Sequence, residues 1–167
     1  LNIGHICCER PQNLEGAFTT GFIERTSFET VTGGTLVEEF EDHFSVAERQ
    51  GKLVLDQHPD EHATCFMIQG RGLVVISSCG HAGIVNTIKT AMRVANTDQL
   101  HAVVGGFHLG LAPVDYIEHT IDELEALNPD VVLPMHCTGA RFIERMRERM
   151  GKQLVTTNLG TLFTFSL

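Results

Sequence analysis

Three short β-branched apolar runs constrain this chain more than any other feature: Gly72-Leu-Val-Val-Ile-Ser-Ser78, His101-Ala-Val-Val-Gly105 and Asp130-Val-Val-Leu-Pro134. Runs of this length without polar alternation read as strands buried on both faces, as in a mostly parallel sheet covered by helices. A histidine follows each run, and His81, His108 and His136 stand 27 and then 28 residues apart. Open α/β sheets bind ligands beyond the carboxyl ends of their strands, so neighbouring strands would bring three imidazoles toward one site. Converging imidazoles suit a divalent transition metal.

Helical periodicity fills the intervals. From Ile84 to Val94, the residues Ile84, Val85, Ile88 and Met92 share a face; from Tyr116 to Leu127, Ile117, Ile121, Leu124 and Leu127 do the same. Ala140 to Met150 predicts a third helix with Phe142, Ile143, Met146 and Met150 as its stripe and arginines opposite. Upstream, Lys52 to Leu55 and His62 to Gln69 read as antiparallel strands, with a turn at Gly70-Arg71-Gly72. Thr35-Leu-Val-Glu-Glu-Phe40 reads as a further strand, and Gln153 to Thr156 and Thr161 to Phe165 as short closing ones. The chain divides near residue 50 into a loop-rich, thin-cored first part and a regular second part. The expected class is α/β with one domain, since 167 residues at 43% hydrophobic content bury one core and not two.

A net charge of −9 excludes the excess of Lys and Arg that a nucleic acid or an anionic membrane needs. The expected partner is a small molecule, with a homo-oligomer as the expected association. Five cysteines, two of them the adjacent Cys7-Cys8, do not make a disulfide framework and fit a reducing, cytoplasmic setting. No apolar stretch approaches a membrane span and no leader opens the chain. The first residue is Leu1, and the chain reads as a piece of a longer protein.

Around the histidines, Ser78-Cys79-Gly80-His81-Ala82-Gly83 is built of small residues that let backbone approach a ligand. The N-terminus of the following helix would offer its free N–H groups to an anionic substrate atom. In Pro134-Met135-His136-Cys137-Thr138-Gly139, Thr138 is the expected cap of the third helix. Cys79 and Cys137 read as small apolar packing, with a closed structural zinc site of Cys79, His81, His136 and Cys137 as the alternative. His58-Pro59-Asp60-Glu61-His62 spells a helical zinc motif, yet Pro59 and the β-rich residues after it predict a loop entering a strand. A phosphate-loop reading of Gly80 to Gly83 fails for want of a Gly-Lys-Ser or Gly-Lys-Thr.

Cys79-Gly80-His81-Ala82-Gly83-Ile84-Val85-Asn86, then Gly105-Gly106-Phe107-His108-Leu109, then His136-Cys137-Thr138-Gly139 resemble the metallo-β-lactamase fold superfamily. The branch most similar is the 7,8-dihydropterin-6-methyl-4-(β-D-ribofuranosyl)aminobenzene-5'-phosphate synthase-like one, matched in order from about Leu53 to Phe165. The resemblance implies half of an αββα sandwich, a mixed sheet with helices on one face, spanning residues 1–167 as the C-terminal part of a single domain. It implies His81 and His136 as metal ligands and puts His108 where most members carry a bridging aspartate. Asn86, Phe107 and Thr138 are expected beside the substrate, and Asp60-Glu61 in a structural or rim role. The implied cofactor is one or two divalent metals, usually zinc, with manganese or iron as alternatives. The family's His-x-His-x-Asp-His motif has no counterpart here, so the expected site is incomplete. The implied function is hydrolysis of a phosphoester, ester or lactone, or a pterin condensation. Its alternatives are a non-catalytic half-domain that pairs with another chain and a structural zinc-binding domain.

Overall fold

The computed structural model of the chain describes residues 10–34, 36–38, 51 and 53–165. In chain order the strands are β1 (Asn13–Leu14), β2 (Ala17–Thr19), β3 (Leu36–Glu38), β4 (Leu53–Leu55), β5 (Ala63–Ile68), β6 (Gly72–Ser77), β7 (Leu100–Gly106) and β8 (Val131–Met135). The helices are α1 (Ile84–Ala95), α2 (Val114–Leu127) and α3 (Ala140–Met150). Six strands make one mixed sheet in the order β1-β2-β5-β6-β7-β8, while β3 and β4 pair apart from it.

The apolar runs become β6, β7 and β8, which lie parallel. Parallel neighbours need crossover connections, and α1 and α2 supply them. Val75, Val103 and Val132 share one face of the sheet and join Ile84, Ile88, Ile117, Ile121, Phe142 and Met146 in a single core cluster. All three helices therefore cover the same face. Val74, Ala102 and Leu133 are buried on the opposite face. There Phe165 lies edge-on to Phe66 and His101, with centroids 6.1 and 5.8 Å away.

The helices start and stop where chemistry requires. Asn96 and Asn128 end α1 and α2 in the left-handed conformation that a short polar side chain tolerates. Gly105, at φ +122°, packs so closely on β6 that a Cβ there would overlap the Ser77 carbonyl oxygen. This contact draws the ends of β6 and β7 together.

Three expectations change. β4 pairs with β3 rather than with β5, which instead forms a hairpin with β6. The loop-rich first part and the regular second part share the sheet, as β2 pairs with β5. The closing segment forms no strand; only Leu154 makes an isolated bridge to Val132, because the edge of β8 is offered one residue rather than a run. Thr138 does not cap α3, whose N-cap is Gly139. The proposed strand at Thr35–Phe40 is described only from Leu36 to Glu38, and Cys7 and Cys8 lie outside the described residues. No helix among the described residues is long and apolar enough to cross a membrane.

Candidate metal centre

The loops that leave β6, β7 and β8 at their carboxyl ends carry His81, His108 and His136 to one edge of the sheet. Two triads of metal-ligating atoms result, Cys79 with His81 and His108, and Cys79 with His136 and Cys137; within each, the atoms lie within 4.8 Å of one another. The three imidazoles are thus divided around Cys79 rather than meeting at one point. The His81 and His108 rings are 4.4 Å apart, edge to face.

Three histidines of the cluster have left-handed backbones: His58 at φ 48°, His108 at 49° and His136 at 54°. Only six non-glycine residues among those described do so, and Asn96 and Asn128 are helix caps. Left-handed backbone in a residue with a bulky side chain is strained, and such strain collects at functional sites.

Two carboxylates, the half-buried Glu61 and the buried Glu29, build the loop around His81. Glu61 accepts the backbone N–H groups of Gly80 and His81 at 2.9 Å each, and that of Ala82. Its Oε1 also lies 3.3 Å from His81 Nδ1, orienting the ring so that Nε2 is left for a ligand. Glu29 accepts from Val85 and Asn86 at 3.1 and 2.9 Å, capping α1. Burial pushes the Glu29 carboxyl above its ordinary range, with these backbone N–H groups opposing. A Cβ on Gly83 would overlap the Glu29 carboxylate, so the glycine there admits it. The helix N-terminus expected to hold a substrate anion is therefore already occupied by the protein's own carboxylates.

The residues expected beside the substrate are placed inside. Asn86 is fully buried; its Oδ1 accepts from Thr26 and Ser27 N–H and its Nδ2 donates to the Ala82 carbonyl. The Thr138 hydroxyl accepts from Phe107 N–H at 3.1 Å and donates to the Met135 carbonyl at 2.7 Å, tying the loop after β7 to the loop after β8. Phe107 packs edge-on against Phe142. These three fix the loops from behind, with Thr138 also at the wall of the cleft beside His136.

His58 is a cluster member that the sequence pattern hides, because the His58-x-x-x-His62 spacing pairs it with the wrong partner. Its ring stacks on His81 at 4.0 Å, and its Nδ1 lies 3.6 Å from Asp56 Oδ2. Its Nε2 is buried without a hydrogen-bond partner. Asp56 accepts from His58 N–H, an Asx turn that the Asp56-x-His58 spelling would have signalled. The loop reading of this segment holds, as β5 begins at Ala63.

Cys79 and Cys137 are not simply packing. Cys79 Sγ lies 3.0 Å from Cys137 Sγ and 3.6 Å from His108 Nδ1. Burial, then the Cys137 thiol, pushes Cys79 up to about 12, so it is a thiol unless a cation compensates. Burial, followed by the nearby His81, holds His108 below the usual histidine range, with a backbone hydrogen bond to Gly33 opposing. Grouped imidazoles, an orphaned ring nitrogen and paired thiols are a donor set that fits a transition metal.

Two clefts reach the cluster. One, of about 250 Å3, is lined by His58, Asp60, Glu61, His62, Cys79 and His81. The other, about 660 Å3, runs from His136 between Leu133, Pro134, Met135, Ile143 and Phe163.

Among solved structures, the chain superposes on Tm1679, a metal-dependent hydrolase of the β-lactamase superfamily, with a TM-score of 0.76 and 27% identity over 95% of this chain. The chain has the fold of a metallo-β-lactamase-like half-domain. No family model matches the sequence. The 7,8-dihydropterin-6-methyl-4-(β-D-ribofuranosyl)-aminobenzene-5'-phosphate synthase of Methanocaldococcus jannaschii is 30% identical over 115 residues, 69% of this chain. This metallo-β-lactamase-fold chain spans 39% of the length of that synthase and 57% of the Tm1679 chain. Both relatives have names of enzymes.

Proposed function

We propose that the chain is the metal-binding part of a metallo-β-lactamase-fold enzyme that hydrolyses a phosphoester, ester or lactone in a small molecule. The observation that carries this reading is the pair of ligand triads at the carboxyl ends of β6, β7 and β8. His81, His108 and His136 would hold one or two divalent ions, with zinc the first choice for an imidazole-rich set. When bound, such an ion supplies a Lewis acid and an activated water at neutral pH.

The chain's own groups prepare the site. Glu61 holds the His81 ring, and the His108 ring meets Cys79 through its Nδ1. The cleft beside His136 would take the organic body of the substrate along Leu133, Ile143 and Phe163. With a net charge of −9, the polypeptide offers little to an anionic group except a bound cation, which favours a small phosphorylated substrate over a nucleic acid. The 30% identity with a 5'-phosphate synthase supports a second reading, a pterin-type condensation at the same centre.

Elemental analysis of purified chain equilibrated with zinc, together with turnover of phosphodiester and ester probes, tests the proposal. Zinc uptake that His81→Ala reduces is expected, with turnover falling in parallel. A chain that binds no zinc overturns it.

A further inference from the structure

We propose that Cys79 is a metal ligand shared by two metal positions, one completed by His81 and His108 and the other by His136 and Cys137. The inference rests on reading the cluster as a metal centre, and it identifies sulfur as part of the ligand set.

Distances support it. With Zn–S near 2.3 Å and Zn–N near 2.0–2.1 Å, the S-to-N edge of a tetrahedral zinc site is about 3.6 Å and the S-to-S edge about 3.8 Å. Cys79 Sγ and His108 Nδ1 are 3.6 Å apart, already at the ligand-to-ligand spacing. Cys79 Sγ and Cys137 Sγ are 3.0 Å apart, so they need to open by less than about 1 Å. Both are free thiols. On binding, each thiol proton passes to solvent as the sulfur–metal bond forms, and Cys137 gives up its 3.2 Å hydrogen bond to the Cys79 carbonyl.

Position and valence support it too. Cys79 belongs to both triads, whereas each histidine belongs to one. A thiolate sulfur has several lone pairs on one atom and can bridge two cations. An imidazole cannot, because its two nitrogens point in opposite directions. The glycine at 106 leaves the space: a Cβ there would come within 3.0 Å of both Cys137 Sγ and Cys79 Cα. Thiolate ligands favour zinc over manganese or magnesium.

Cobalt(II) titrated into the metal-free chain under reducing conditions, with bound cobalt measured by elemental analysis, provides the test. Thiolate-to-cobalt charge-transfer absorption should grow with bound cobalt. Cys79→Ser should remove most of that absorption and weaken zinc binding by more than about tenfold, since losing a ligand costs at least as much as losing a partner behind one. Cys137→Ser should remove only part of the absorption. In the unaltered chain, zinc should slow alkylation of Cys79 and Cys137 by about tenfold or more, while Cys65, buried in the core, is unaffected. Stoichiometric cobalt without charge-transfer absorption, or alkylation rates unchanged by zinc, overturns the thiolate assignment and leaves the metal-centre reading standing. No binding of either ion overturns both.

Discussion

Glu61 shows how much one side chain decides here. Its carboxylate accepts three successive backbone N–H groups and orients His81, so it shapes the ligand loop without needing to touch a metal. Glu61→Gln replaces an acceptor oxygen with a donor facing N–H groups, which costs about 1–3 kcal/mol of stability. It should also weaken zinc affinity by about tenfold to a hundredfold, measured by competition with a chromophoric chelator. Unchanged affinity would mean the loop holds its shape without the carboxylate. Glu29 supplies a pH dependence. Burial raises its folded pKa, so its contribution to stability is complete below the ordinary value of 4.5 and is lost as pH rises through the raised value. Relative to Glu29→Gln, the wild type should therefore gain stability as pH falls toward 4.5 in paired denaturant titrations. A difference independent of pH would contradict the assignment.

Among the elements, the parallel trio β6, β7 and β8 positions the site, and close backbone approach at their ends is its condition. Gly105→Ala would drive a Cβ into the Ser77 carbonyl from a left-handed backbone, and the expected loss is about 3 kcal/mol or more, read as a drop in the denaturation midpoint. A tolerated alanine would show that β6 and β7 can separate. Between α2 and α3, Arg149 reaches Glu118, Asp122 and Glu125 at 3.1, 2.7 and 2.6 Å. The pairs are exposed, so Arg149→Ala should lower the melting temperature slightly at low salt and not in molar salt. These helices were legible from sequence almost to the residue because their apolar stripes repeat at the helical period over three turns. The β4 pairing was not, since a three-residue strand carries no register information of its own.

For the whole molecule, helices cover one face of the sheet, while Ile76 on the other face stays 37% exposed and Leu159, Leu162 and Phe163 of the closing segment are exposed as well. Contiguous apolar surface drives association, so the chain should form oligomers in solution. Light scattering giving a monodisperse, cooperatively unfolding monomer would refute this.

The sequence alone determined the α/β class, the three strand-and-helix units and the histidines at their ends, because hydrophobic period and chain spacing are local properties. Only the tertiary structure decided how those histidines divide around Cys79, that His58 joins them, and that Glu29 and Glu61 fill the N–H groups expected to await a substrate. Each of these depends on contacts across 19 to 58 positions of chain, as between Glu61 and Gly80 or Cys79 and Cys137. Such contacts follow from the packing of the sheet and leave no periodic mark on the sequence.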